Sequence, residues 1–143
     1  MPKFSYAKGR VNESLQFITE EMREFKEEYS SKLWQDYQND KKLQKLMDRT
    51  VENILTALIE MSGTLLTEEE VAVESYSDAL KKVASLLRFN EEEQEELAKL
   101  AIARNRLAHR YLNFRWQAIK MYVEKQNLIQ RLLTAVLEKE KGL

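Results

Sequence analysis

The sequence predicts an all-α fold, an antiparallel bundle of four to five helices. Apolar residues recur along most of the chain at spacings of three and four, which is the period of an amphipathic helix. The 143 residues include only one Pro and three Gly, so residues that break helices are scarce. Hydrophobic residues make up 43% and charged residues 33%, a balance typical of a folded helical domain. We therefore expect residues 1–143 to form a single helical domain.

The first apolar stripe predicts one extended N-terminal helix. Its members share one helix face and are Val11, Leu15, Ile18, Met22, Phe25 and Tyr29. Leu33 and Tyr37 continue the same stripe, so we expect this helix to extend past Trp34.

A second long helix is predicted in the centre of the chain. The apolar pattern breaks near Asn39 and Asp40, restarts at Leu43 and continues to about Leu66. Gly63 lies inside this pattern, where a glycine costs a helix about 1 kcal/mol relative to alanine. We interpret Gly63 as a point of close approach or as the fraying end of the helix.

Capping signals predict where the next helices start. Thr67 followed by Glu70 has the pattern of a capping box, and a third helix is expected over residues 77–88. Asn90 and Glu93 repeat the pattern at the start of a fourth helix, whose first turn is rich in glutamate, as the helix dipole favours.

The boundary between the fourth and fifth helices is weakly signalled. In the run Tyr111-Leu112-Asn113 only Asn113 is a candidate cap, and we place the break there. This places Tyr111 at a helix C-terminus, where the dipole disfavours added negative charge. The last helix then carries an apolar stripe from Phe114 to Leu137.

Composition narrows the location and the chemistry. The sequence has no Cys, so it forms neither disulfides nor thiolate metal sites, and a reducing cytoplasm suits it. Residues 1–10 lack the apolar run of a signal peptide, and no stretch approaches the roughly 20 apolar residues of a membrane span. We expect a cytoplasmic protein without membrane association.

Basic residues are concentrated in one stretch. Residues 97–123 contain no Asp or Glu but six basic side chains, which are Lys99, Arg104, Arg106, Arg110, Arg115 and Lys120. The other 116 residues carry 17 basic and 24 acidic groups, a net charge of −7. A local basic surface on an acidic protein is typical of an anion or nucleic-acid site. Solvated charges on helix faces are the alternative explanation.

His109, the one His of the chain, lies inside this basic stretch. If the helix continues, Asn105 and His109 lie one turn apart on the same face, and the long side chain of Arg104 reaches round to them. Tyr111 turns towards His109 only if the helix ends there.

Arginine and histidine without neighbouring acids suit phosphodiester cleavage. A His moves protons near neutral pH, and an Arg binds a phosphate and offsets the charge that grows on it. If the 2′-hydroxyl of the substrate is the nucleophile, neither a metal nor a protein nucleophile is required, and this points to RNA. The alternative is that His109 is an ordinary capping or core residue.

A resemblance to a known family favours the first interpretation. It is carried by the run Arg104-Asn105-Arg106-Leu107-Ala108-His109-Arg110-Tyr111. This run resembles the signature of the HEPN superfamily, in which an Arg and a polar residue precede a His that follows four intervening positions. The Tyr two residues beyond the His is the hallmark of the HepT-like branch. Helix order and lengths are similar to that branch over a core of roughly residues 10–138.

The resemblance implies a function as well as a fold. HepT-like proteins are helical bundles that dimerise around their motif helices and act as metal-independent endoribonuclease toxins, usually paired with a minimal nucleotidyltransferase antitoxin. It therefore implies a homodimer that cleaves RNA at a composite site on the dimer interface, with neither metal nor cofactor. The nucleotidyltransferase is expected to silence the toxin by transferring AMP to the motif tyrosine.

The resemblance also implies a role for each motif residue. Arg104 and His109 are implied to be catalytic, and Asn105 to orient them. Tyr111 is implied to be the modified residue or a substrate contact. Two further arginines are expected to strengthen phosphate binding, Arg106 and Arg110.

Aromatic residues outside the motif raise separate questions. The extended N-terminal helix with Trp34 and Tyr37 departs from the branch and would alter the dimer or the partner surface. Trp116 follows the motif and departs from the stripe set by Phe114, so it is a candidate platform for stacking a base. We interpret Trp34, Tyr37, Phe114 and Tyr122 as core or dimer interface.

Two other functions stay open from the sequence. One is a non-catalytic helical companion that binds nucleotide or stabilises a nucleotidyltransferase, since such folds can keep a motif and lose activity. The other is a structural helical interaction module.

Overall fold

The computed structural model describes residues 9–142, which form eight helical segments and no strand. The segments are α1 (Arg10–Glu28), α2 (Trp34–Asn39), α3 (Lys41–Glu68), α4 (Tyr76–Leu86), α5 (Glu91–Ala98), α6 (Leu100–Arg106), α7 (Leu112–Glu124) and α8 (Gln126–Glu140). The prediction of an all-α helical bundle is confirmed. Within this part of the chain, no helix is both long and apolar enough to cross a membrane.

Five helical regions are present, as predicted, but three of them are divided. α5 and α6 are separated only by Lys99, and α7 and α8 only by Lys125. The backbone N–H of each of these residues donates to carbonyls of the preceding helix, so the helix tightens locally before the next one starts. Apolar periodicity does not resolve a division of one residue.

The third division is larger, and it makes the prediction of one extended N-terminal helix wrong. The Ser30 hydroxyl donates to the carbonyl of Lys26 at the end of α1. Leu33 is extended (φ −105°, ψ 170°), and its N–H donates to the Asp36 carboxylate at 2.8 Å. Side chains therefore compete with the helix on both sides of the break. Tyr37 continues the apolar stripe and is buried, but it belongs to a separate short helix, α2.

α3 is the central helix and packs against α1, α2, α4, α6 and α7. Gly63 is buried inside α3, so it is not the fraying end of the helix. The capping box predicted at Thr67 is also wrong, because α3 continues through Thr67, whose hydroxyl donates to the Gly63 carbonyl at 2.9 Å. The cap of α4 is Ser75, whose side chain accepts the N–H of Asp78 at 3.0 Å.

Apolar side chains from all eight helices form one core. The Phe25 ring of α1 meets the Tyr122 ring of α7 edge to face at 5.1 Å, and both are fully buried. At the start of α5 the predicted capping box is confirmed. The Asn90 side chain accepts the N–H of Glu93 at 2.8 Å, and the Glu93 carboxylate accepts the N–H of Asn90 at 3.0 Å.

Candidate functional site

The motif is divided between a helix and a loop. α6 ends at Arg106, and α7 starts at Leu112, so residues 107–111 form a connection that we call the motif loop. The N–H groups of Ala108 and His109 donate to carbonyls three residues back, at 3.2 and 3.1 Å, which tightens the chain into a turn. The helix break predicted at Asn113 is therefore wrong: α6 already ends at Arg106, so His109 lies in the motif loop instead of one helical turn beyond Asn105.

Arg104 is half-buried and is held by two neighbouring helices. Its Nε donates to the hydroxyl of Thr56 on α3 at 3.0 Å. Its guanidinium lies 5.3 Å from the ring centroid of Tyr76 on α4. Among residues 9–142 no acceptor binds its two Nη groups, so one edge of the guanidinium is available for an anion.

His109 is exposed and lies against a phenylalanine of α7. The centroid of its imidazole is 5.2 Å from that of Phe114. Tyr111 also meets Phe114 edge to face at 5.9 Å, while 54% of Tyr111 is exposed. The guanidinium of Arg110 lies 5.4 Å from the Tyr111 ring centroid. Phe114 therefore supports the rings of both His109 and Tyr111 and is not a core residue, so of the two locations predicted for it only the dimer interface stays a prediction.

The remaining motif residues point in different directions. Asn105 is exposed on the last turn of α6. Arg106 reaches towards α7, where its Nη1 donates to Gln117 at 3.2 Å and lies 3.8 Å from the sulfur of Met121. The contacts of Arg104 are with α3 and α4, whereas those of the motif loop are with α7. A single chain thus holds its Arg104 and its loop through separate sets of contacts.

Residues 97–123, which contain no Asp or Glu, form the acid-free stretch. Two of its six basic side chains are neutralised by ion pairs. Lys99 pairs with Glu96 at 2.9 Å, and Arg115 pairs with Asp48 at 2.8 Å. The other four have no ion pair within the part of the chain that the structure describes, and they are Arg104, Arg106, Arg110 and Lys120. The predicted basic surface is therefore present but smaller than the sequence indicates.

A polar network that was not predicted from the sequence lies beneath the motif loop. Arg115 donates from Nη1 to Asp48, and from Nη2 to the backbone carbonyl of Arg110 at 3.4 Å. The hydroxyl of Tyr37 donates to the second oxygen of Asp48 at 2.6 Å. Burial raises the pKa of Asp48 above its ordinary value, although Tyr37 and Arg115 oppose the shift. Burial also raises the pKa of Tyr37.

Trp116 belongs to an aromatic cluster. Its ring centroid lies 5.1 Å from Tyr37 and 5.9 Å from Trp34, and the ring is half-buried against the core. The interpretation of Trp116 as a base-stacking platform is therefore replaced by one of packing between α2 and α7. The burial predicted for Tyr37 and Tyr122 is confirmed.

Two surface grooves flank α3 beside the motif. One, of about 300 Å³, is lined in part by Phe17, Asn53 and Thr56, and Thr56 is the residue that binds Arg104. The other, of about 570 Å³, also includes Asn53 and reaches Leu107 at the start of the motif loop. Across residues 9–142, no three His, Asp or Glu side chains are grouped as metal ligands would be.

The chain is a helical bundle whose candidate site contains an arginine and a histidine. Residues 18–136 match the family model described as ribonuclease HepT-like, and this match includes the whole motif loop. The chain therefore belongs to the HepT-like ribonuclease family, within the HEPN superfamily. No curated protein matches the chain.

Proposed function

We propose that this protein is a metal-independent endoribonuclease and acts as the toxin subunit of a toxin–antitoxin pair. One observation carries the proposal: the HepT-like motif combines a half-buried Arg104 that has free Nη groups with an exposed His109. Family membership supports nuclease activity and an RNA substrate.

The chemistry follows from these two side chains. Arg104 binds the scissile phosphate and offsets the charge that develops on it. His109 removes the proton of the 2′-hydroxyl, the 2′-oxygen bonds to phosphorus, and the bond from phosphorus to the 5′-oxygen breaks. The products are a 2′,3′-cyclic phosphate and, once the leaving oxygen is protonated, a 5′-hydroxyl. Asn105, exposed on the same turn as Arg104, orients the reacting groups.

A homodimer supplies the second proton-transfer group. Cleavage is best served by a base on one side of the phosphate and an acid on the other, yet the chain has one His. A two-fold axis places two copies of Arg104 and His109 in one composite site. It also brings together groups that a single chain holds against different helices. Arg106 and Arg110 extend the cationic surface along the RNA backbone.

A minimal nucleotidyltransferase is the proposed antitoxin, with Tyr111 as its target. The Tyr111 oxygen attacks the α-phosphorus of ATP and pyrophosphate leaves. Tyr111 is exposed, and it lies at the N-terminal boundary of α7 rather than at the helix C-terminus that we expected. The dipole of α7 therefore favours the added negative charge. Arg110, already on the Tyr111 ring, can pair with the new phosphate. The toxin and its antitoxin would act in the cytoplasm.

The test is RNA cleavage by the purified protein in excess chelator. We expect wild type to cleave, and His109→Ala and Arg104→Ala to lose activity by about 10³-fold. Lys120→Ala is the matched control, because it removes an exposed, unpaired cation from the same acid-free stretch. Full activity in His109→Ala would contradict the proposal. A wild type that gains AMP from the nucleotidyltransferase but cleaves no RNA would favour the non-catalytic companion.

A further inference from the structure

Arg115 connects the motif loop to α3. It lies in the first turn of α7, and its partner Asp48 is 67 residues away in sequence. Only 19% of the Arg115 side chain and 14% of the Asp48 side chain are exposed. While Nη1 binds Asp48, Nη2 donates to the carbonyl of Arg110, the residue between His109 and Tyr111. One guanidinium therefore contacts both α3 and the motif loop.

α2 completes the surroundings of this ion pair. Tyr37 donates to the Asp48 oxygen that Arg115 leaves free. The rings of Trp34, Tyr37 and Trp116 pack together beside it. α2 is itself held on α3, because the buried Gln44 side chain donates to the carbonyl of Tyr37 at 2.8 Å. The short helix that interrupts the expected N-terminal helix thus covers Asp48.

The pair is needed because Arg115 occupies an unfavourable place. A cation in the first turn of a helix opposes the helix dipole, and a buried cation without a partner is strongly destabilising. Within residues 9–142, Asp48 is the one acidic group that forms an ion pair with Arg115, and the buried Nε of Arg115 has no hydrogen-bond partner. Without the Asp48 charge, the guanidinium would be driven towards solvent and away from the Arg110 carbonyl.

We propose that Asp48, acting through Arg115, is a positioning residue for His109. Arg115 holds the loop backbone at Arg110, and the adjacent Phe114 supports the rings of His109 and Tyr111. Moving Arg115 therefore disturbs both supports of His109. The consequence for catalysis rests on the proposed ribonuclease function, whereas the position of the loop can be measured without it.

The single His makes a direct measurement possible. The imidazole of His109 gives the only histidine ring signal in an NMR spectrum of the full chain, and the nearby Phe114 ring shifts that signal. In Asp48→Asn, which keeps the side-chain shape and removes the charge, we expect the signal to move towards the value of an unstructured histidine. Trypsin cleavage after Arg110 should become faster.

The control removes another ion pair of a buried cation, Lys125 with Glu96. Lys125 binds Glu96 at 2.8 Å and is 9% exposed, but it lies at the far end of α7. Lys125→Gln should leave the His109 signal and the rate of tryptic cleavage after Arg110 unchanged. If Asp48→Asn fails to fold, Arg115→Lys serves instead: its single ammonium keeps the charge next to Asp48 but cannot also reach the Arg110 carbonyl as the forked guanidinium does.

An unmoved His109 signal in folded Asp48→Asn, or in folded Arg115→Lys, would overturn the proposal. In the cleavage assay, Asp48→Asn should lower kcat by about tenfold or more with little change in KM, because binding groups stay while the proton-transfer group is misplaced. If the protein cleaves no RNA, the proposed function fails, and the NMR and proteolysis results still decide the positioning role.

Discussion

Arg104 and the motif loop are held in place by different kinds of contact. Arg104 stands on a helix, and its side chain is bound by Thr56 and Tyr76, which lie on two other helices. His109 stands on a loop, is exposed, and has a single ring contact with Phe114. Arg104, the proposed phosphate-binding group, is thus held by the helical bundle, whereas the position of His109, the proposed proton-transfer group, depends on how one loop is tethered. Substitutions near Arg104 and substitutions near His109 should therefore have different effects on activity, stability and hydrogen exchange.

The largest loss of activity is expected when the guanidinium of Arg104 is replaced by a cation of a different shape. Arg104→Lys keeps the charge but loses the Nε bond to Thr56 and the proposed bidentate contact with phosphate. We expect cleavage to fall by about 100-fold with little change in melting temperature. In Arg106→Lys, the comparison variant, the loss should stay within about threefold, because Arg106 binds towards α7. Equal losses in the two variants would mean that Arg104 has no special place.

A smaller loss is expected when the aromatic support of the motif loop is removed. Phe114→Leu keeps an apolar side chain but removes the ring that contacts His109 and Tyr111. Activity should fall by about tenfold, chiefly in kcat, and hydrogen exchange at the backbone of residues 108–111 should become faster. Phe114→Tyr, which keeps the ring, is the control. Normal kcat in Phe114→Leu would show that the loop does not need this support.

The anchor of Arg104 can be weakened without touching the cation. Thr56→Val removes the hydroxyl that accepts from Nε and keeps the branched shape. We expect a loss of activity of a few-fold and a loss of stability of about 1 kcal/mol, measured by chemical denaturation. Unlike Phe114→Leu, this variant should leave exchange at the motif loop unchanged. Faster loop exchange in Thr56→Val would mean that the two sides are coupled.

Mixing of subunits distinguishes a composite dimer site from two independent sites, because the remaining RNA cleavage should differ twofold between the two cases. Wild type and His109→Ala are mixed in equal amounts and allowed to exchange subunits. If one phosphate needs both copies of His109, about a quarter of the wild-type activity remains, because about a quarter of the dimers have two intact histidines. Retention of about half would indicate that each chain works alone.

The smallest effect concerns acid stability. Hydrogen bonds from Lys125 and Lys99 lower the pKa of Glu96 from 4.5 to about 2. The unfolded chain binds this proton at a higher pH than the folded chain, so Glu96 stabilises the fold above pH 4.5, and the contribution is lost as the pH falls towards 2. The pKa of Asp48 is raised, so its ionisation makes no such contribution to the stability of the fold. Glu96→Gln should slightly reduce the fall in melting temperature across this range, and an unchanged profile would contradict this assignment.

Periodicity and capping predicted most of the fold because both are local signals. The stripe from Val11 to Tyr29 and the cap formed by Asn90 and Glu93 were confirmed where they were expected. The break before α2 was missed because the apolar phase continues through it to Tyr37. There the decisive terms are hydrogen bonds of Ser30 and Asp36, which carry no apolar period.

The residue types of the candidate site could be selected from the sequence, but their arrangement could not. Arg104 and His109 stand out because one stretch lacks acids and contains the one His. Their separation onto a helix and a loop was missed, since no Gly or Pro marks the end of α6. The pairing of Asp48 with Arg115 was beyond reach, because a contact between residues 67 positions apart depends on how α3 and α7 pack.

We propose that the protein cleaves RNA by attack of the 2′-hydroxyl of the RNA on the adjacent phosphate, with Arg104 and His109 supplying the catalytic groups. The most direct test compares an RNA with DNA of the same sequence in excess chelator and analyses the ends of the products. We expect that only the RNA is cut, that the ends are a 2′,3′-cyclic phosphate and a 5′-hydroxyl, and that His109→Ala produces neither. Cutting of the DNA, or 5′-phosphate ends that form only when a divalent metal is added, would contradict it.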